Sequence, residues 1–133
     1  MPREYVYQRR VQFAETDAAG IVHFAVFYRY MEEAEHAMWR DAGLSIEPPD
    51  SEIGWPRVEA SFEFHRPLRF EDVCEVRIAV AELNSRTIKY ACRITRGGET
   101  IATGAMTIAC IRRRPGLGMQ STEIPSEIAQ RFA

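Results

Sequence analysis

Cysteine is scarce in this chain of 133 residues: three in all, at 74, 92 and 110. They are odd in number, lie among apolar residues and form no CxxC pair, which argues against a disulfide framework, a zinc site or a redox motif and for buried free thiols in a reducing compartment. Long apolar runs are also missing, and no charged N-terminal segment leads into one, so neither a membrane span nor a secretory leader is expected, and the chain is read as soluble and cytoplasmic. Charge of one sign is lacking too. A formal net charge of −2 with 27% charged residues gives no global field for nucleic acid or a membrane surface, so an anionic ligand has to be held locally. There is no G-x-S-x-G elbow, no H-x-x-x-H metal pair, no G-x-G-x-x-G after a strand and no P-loop, and no metal ligand set is expected. Internal repeats and linkers are absent, so residues 1–133 are read as one domain.

What is present is patterned apolar residue, 46% of the chain, enough for one sizeable core. Loose alternation from Tyr5 to Phe13, with Tyr5, Tyr7, Val11 and Phe13 on one side, predicts a first strand. Glu15 to Gly20 then turns the chain. Between Val26 and Ala42 the residues Phe27, Tyr30, Met31, Ala34, Ala37 and Met38 fall at helical spacing, and Gly43 closes the helix. A second stripe of Tyr28, Glu32, Glu35 and Trp39 implies that the helix is surrounded on more than one side. Leu44 to Trp55, with two prolines and a glycine, has no period and reads as a loop.

Strand patterns follow. Val58, Ala60, Phe62 and Phe64 alternate with polar residues, as do Cys74, Val76, Ile78 and Val80, and then Ile88, Tyr90, Cys92 and Ile94. Asn84 to Arg86 supplies one turn and Gly97-Gly98 a hairpin into a last strand from Thr100 to Ile111. A short helix from Pro125 to Phe132 ends the chain. The order of strand, long helix and four strands predicts an α+β domain, one antiparallel sheet covering one helix, with long sheet edges suited to pairing with a second subunit.

The run Phe13-Ala-Glu-Thr-Asp-Ala-Ala-Gly-Ile-Val-His-Phe-Ala-Val-Phe-Tyr-Arg-Tyr-Met-Glu resembles the signature of the 4-hydroxybenzoyl-CoA thioesterase family, including its tol-pal-associated branch, and element order agrees from about residue 5 to 112. The resemblance implies a hotdog fold, a five-stranded antiparallel sheet wrapped around the helix, a homodimer through sheet edges with sites at the interface, and a dimer of dimers. It implies an acyl-CoA thioester hydrolase with no cofactor beyond the coenzyme A of its substrate. By motif position its catalytic acid maps onto Asp17, its tight-turn glycine onto Gly20, and the amide that polarises the thioester carbonyl near Phe24, with His23 beside it.

The physical chemistry agrees with that assignment, because thioester hydrolysis builds negative charge on the carbonyl oxygen and the unpaired N–H groups at a helix start are oriented to receive it. Asp17 would serve as nucleophile or as general base; the residues alone leave both open. Read without the resemblance, Asp17 is a turn residue capping local amides, and His23 a capping or packing residue. Tyr28 and Glu32 share a helix face and, with Pro56, Arg57 and Val58, are the candidates for an acyl pocket suited to a short-chain or aromatic group. For the phosphates of CoA the candidates are Arg86 in a hairpin turn and Arg112 and Arg113, with Arg114, after the last strand. Two rival readings are a hydratase or dehydratase on the same fold, using a helix-borne acid with a nearby His, and a non-catalytic module binding acyl-CoA or a partner.

Overall fold

The computed structural model describes residues 3–133. Five strands, β1 (Glu4–Arg10), β3 (Arg57–Phe64), β4 (Val73–Leu83), β5 (Thr87–Arg96) and β6 (Glu99–Ala109), form one antiparallel sheet in the order β1-β4-β5-β6-β3. Helix α1 (Phe24–Asp41) lies across it. Its buried residues are Phe27, Tyr30, Met31, Ala34, Glu35, Ala37, Met38 and Trp39, so the expected apolar face is the core face and part of the second stripe is enclosed as well. The core is completed by alternate residues of the central strands, among them Cys74, Val76, Ile78, Ile88, Tyr90, Cys92 and Ile94. All three cysteines are free and buried, and burial pushes the Cys74 thiol up to about 11 and that of Cys92 up to about 12. No helix among the described residues is long and apolar enough to cross a membrane.

Local chemistry explains where elements stop. Leu44 N–H donates to the Trp39 carbonyl and Gly43 N–H to that of Arg40, the paired bonds of a Schellman motif, and Gly43 has φ +79°, which a side chain would resist. Gly97 and Gly98, at φ +55° and +84°, make the two-residue hairpin turn between β5 and β6, where consecutive positive φ values match the strand twist.

Four expectations are corrected. The first strand ends at Arg10 rather than Phe13; Phe13–Glu15 form a 3₁₀ turn, and Phe13 is 73% exposed, edge-on to Phe70 with ring centroids 5.5 Å apart. The turn wins because the Glu15 carboxylate reaches back to the Gln12 N–H at 2.8 Å, drawing the chain out of the sheet. Second, the 44–55 loop holds a short strand, β2 (Ile53–Gly54). Third, the last strand breaks at Cys110, and Ile111–Arg114 form β7, which pairs with β2 and with β8 (Gly118–Ser121) in a second sheet. The arginines expected beyond the last strand therefore lie within one. Fourth, β3 is exposed along most of its length, with Val58 at 60% and Phe64 at 47%, because α1 packs more extensively on β1 and β4 than on β3. The short terminal helix α2 (Ser126–Phe132) buries Phe132 against Trp39.

Candidate active site

Between the end of the 3₁₀ turn and the start of α1 the chain folds into a small hairpin. Its legs are joined by a bridge between Thr16 and Val22, by Asp17 N–H on the Ile21 carbonyl at 2.8 Å, and by His23 N–H on the Glu15 carbonyl at 3.0 Å. At its tip Gly20, at φ +80°, donates to the Asp17 carbonyl. One Asp17 side-chain oxygen, Oδ1, accepts from the N–H of Ala19 at 2.9 Å and more weakly from that of Ile21 at 3.4 Å. Among the described residues the other oxygen, Oδ2, has no donor. The turn-residue reading of Asp17 thus describes half of the carboxylate.

The second leg runs straight into α1. His23 is the helix N-cap: its ring Nδ1 accepts from Ala25 N–H at 3.2 Å, its carbonyl accepts from Val26 N–H, and its ring stacks on that of Phe24. With those two amides used, the Phe24 N–H has no acceptor among the described residues, and it heads a helix whose N-terminal end carries positive potential.

Asp17 and Phe24 share a cleft of about 450 Å³ with Ile21, Val22, Phe27, Phe64, His65, Arg66 and Pro67. Phe27 meets Phe64 edge-on at 5.1 Å and lies 6.1 Å from Phe62, an aromatic wall opposite a lone carboxylate. His65 contacts the Thr103 hydroxyl at 3.3 Å, and Arg66 pairs loosely with Glu99 at 3.5 Å. In the sequence Phe64 is read only as a strand residue and His65 to Pro67 are given no part in the site; their only signal is a His-Arg-Pro break at the end of an alternating strand.

Below this hairpin sits a buried ionic cluster. Glu15 is 5% exposed, and its carboxylate accepts from Gln12 N–H, from the Tyr30 hydroxyl at 2.7 Å and from Arg9 at 2.5 and 3.2 Å. Arg9 also donates to Glu33 of α1 at 2.8 Å, where the Tyr7 hydroxyl joins it. Burial pushes the Glu15 carboxyl up, but the Gln12 amide, Tyr30 and Arg9 together hold it below its ordinary value of 4.5.

The remaining sequence candidates lie elsewhere. Pro56 and Arg57 line a second cleft, of about 380 Å³, with His36, Trp55 and Arg113. There Arg57 donates to the fully buried Glu35 at 2.6 and 3.2 Å and to Glu32 at 3.0 Å, and the Tyr90 hydroxyl donates to Glu35 at 2.7 Å. Burial pushes the Glu35 carboxyl up against the opposing pull of Arg57 and Tyr90. Glu32, Glu35 and His36 bring donor atoms within 4.8 Å of one another, but the Arg57 guanidinium already occupies the carboxylates, so the cluster is an ion-pair network. Tyr28 packs edge-on against Phe62, and Val58 stands exposed on the sheet edge. Neither they nor Glu32, Pro56 and Arg57 line the Asp17 cleft. Arg112 pairs with Glu52 at 2.9 Å and Arg113 with Glu47; Arg86 donates to the Ser121 hydroxyl at 3.0 Å and has no carboxylate partner among the described residues.

Comparison with known proteins bears on this geometry. The family model described as the thioesterase-like superfamily matches residues 11–132. A 1,4-dihydroxy-2-naphthoyl-CoA hydrolase of Crocosphaera subtropica is 34% identical over 88 residues, covering 63% of this chain and 64% of that one. The solved structure of a gentisyl-coenzyme A thioesterase is 33% identical with a TM-score of 0.85, over 96% of this chain and 99% of that one. A 4-hydroxybenzoyl-CoA thioesterase crystallised as a variant with 4-hydroxybenzoyl-CoA superposes with a TM-score of 0.83 over 98% and 99%; at 19% identity that likeness speaks to the fold alone.

Proposed function

Because the chain belongs to the thioesterase-like superfamily and is an acyl-CoA thioester hydrolase of the hotdog fold, we propose that Asp17 carries the hydrolysis of a short-chain or aromatic acyl-CoA to free acid and CoA. One observation carries the reading: a carboxylate with one oxygen tied down and the other unengaged shares a cleft with the head of α1. The thioester oxygen would accept from the Phe24 N–H, so that the charge developing there meets a donor already in place. Oδ2 of Asp17 would then act on the carbonyl carbon. As a nucleophile it forms a mixed anhydride, which water hydrolyses. As a general base it takes a proton from the water that attacks directly. Either way a C–O bond replaces the C–S bond, one water is consumed and the sulfur leaves to become the CoA thiol.

The aromatic wall of Phe24, Phe27 and Phe64 favours a flat acyl group, which buries its faces against ring edges. The relatives named for naphthoyl- and gentisyl-CoA are consistent with that class. A hydratase on this fold would need His23 for proton transfer, and with Nδ1 committed to the helix cap only Nε2 is left for that step. Of the phosphate candidates, Arg86 has no carboxylate partner among the described residues, whereas Arg113 pairs with Glu47 and Arg112 shares Glu52 with Arg114. The exposed edge of β3 supports a homodimer, which would close the open side of the cleft.

Release of free thiol from a panel of acyl-CoAs, aromatic through long-chain, is expected to show turnover biased to aromatic substrates. Asp17→Asn should retain the fold and lose roughly 10²-fold or more in kcat; a wild-type rate in that variant removes Asp17 from the mechanism. A single turnover in labelled water tests the two roles: label in the Asp17 carboxylate supports an anhydride opened at the Asp17 carbon, and label in the product alone leaves direct attack or an anhydride opened at the acyl carbon, which hydroxylamine trapping of an aspartyl hydroxamate separates.

A further inference from the structure

We propose that Glu15, which does not touch the cleft, is a positioning residue that sets Asp17 relative to the head of α1. The inference rests on Asp17 being the acting carboxylate. The hairpin from residue 15 to residue 23 has two legs. Glu15 ends the first, Asp17 stands two residues further toward the tip, and the second leg becomes α1 at Phe24. Through its carbonyl Glu15 holds His23 N–H at 3.0 Å, so one residue clasps the base of the hairpin at the point where the helix starts.

Its carboxylate fixes that base to three other parts of the fold. Oε1 accepts from the Gln12 N–H that begins the 3₁₀ turn, and from the hydroxyl of Tyr30, two turns along α1 and fully buried. Oε2 accepts from Arg9 of β1, whose guanidinium lies 4.8 Å from the centre of the Tyr30 ring and continues to Glu33. Strand, turn and helix therefore meet on one carboxylate. A shift of the hairpin base by a fraction of an ångström is carried to its tip and changes the distance between the free oxygen of Asp17 and the Phe24 amide. Chemistry of this kind loses rate steeply with small misplacements of the reacting group.

Glu33 provides the control, since it shares Arg9 with Glu15 but touches neither the turn nor the hairpin. Glu15→Gln is expected to lower kcat at least tenfold with KM within twofold of wild type, and Glu33→Gln to leave kcat within twofold, while both lower the melting temperature. In the Asp17→Asn background, Glu15→Gln should cost no further rate, because a residue acting through Asp17 has nothing left to position. A kcat for Glu15→Gln as high as that of Glu33→Gln overturns the proposal, and so does a further drop in the double variant or a loss confined to KM. Should Glu15→Gln fail to fold, Tyr30→Phe removes one bond from the same carboxylate and is expected to lower kcat about threefold; an unchanged kcat there overturns it equally. If Asp17→Asn alone retains turnover, the reading of Asp17 has failed. If Asp17→Asn is inactive and Glu15→Gln is not, only the positioning role has.

Discussion

At the scale of the residue, two glycines show how differently the same side chain is required. Gly20 sits at φ +80° with nothing within 4 Å of an added Cβ, so Gly20→Ala meets only backbone strain, about 1–2 kcal/mol. Gly104 in β6 has an ordinary strand conformation, but a Cβ there would lie 2.6 Å from the Ser61 carbonyl and 2.7 Å from the Phe62 ring. Gly104→Ala must push β3 aside, and overpacking of this kind costs about 1–3 kcal/mol. The two variants are therefore expected to melt several degrees below wild type by comparable amounts. They should part company in kinetics and structure: Gly20→Ala lowers kcat by reshaping the tip that carries Asp17, and Gly104→Ala increases amide exchange along β3. Equal kcat in Gly20→Ala and wild type would show that the tip tolerates the strain without moving its carboxylate.

At the scale of the element, each face of α1 is tied to the sheet by a buried carboxylate, and the two respond to pH with opposite sign. Glu15, in the turn beneath the N-terminal half of α1, has its carboxyl held below 4.5. The unfolded chain binds that proton more readily, so the stabilisation is full above 4.5 and is lost as pH falls through the folded-state value. Glu35, on the C-terminal half, has its carboxyl raised by burial. Here the folded chain binds the proton more readily, and the contribution is present below 4.5 and fades as pH rises through the folded-state value. Urea unfolding followed across pH is expected to show a shallower acid limb in Glu15→Gln and a smaller loss between pH 4 and neutrality in Glu35→Gln. Reversal in Glu15→Gln would mean that burial outweighs Arg9, Tyr30 and the Gln12 amide, and reversal in Glu35→Gln that Arg57 and Tyr90 outweigh burial.

At the scale of the whole molecule, the main sheet ends in two edge strands, β1 and β3, and β3 is the more exposed of the two. β3 is paired with β6 on one side only, exposes Val58 and Phe64, and forms one wall of the Asp17 cleft through Phe64. A long apolar edge is a template for a further strand, and a closed symmetric pair is the commonest way to cover it. Sedimentation of the intact protein is expected to give a dimer at micromolar concentration. Val58→Lys should shift it toward monomer and reduce turnover with it, because the cleft loses the surface that closes its open side. A monomeric wild type with full activity would confine the site to one chain.

Local pattern determined much of this. The helical spacing from Phe27 to Met38, the Gly43 stop, the Gly97-Gly98 hairpin and the alternation in β4 and β5 each depend on neighbours within a few residues, and each is found where the sequence puts it. Asp17, Gly20 and Phe24 belong to one continuous segment and are assigned together through the family resemblance that segment carries, not through its periodicity. Tertiary structure alone decided what depends on distant partners: that Arg9 turns inward to meet Glu15 and Glu33, that Phe64 to Pro67 face Asp17 while Pro56 and Arg57 serve another cleft, and that Ile111–Arg114 leave the main sheet to pair with Ile53–Gly54. Apart from Arg9 with Glu15, such contacts join residues more than twenty positions apart, where no period along the chain records which side chains will meet.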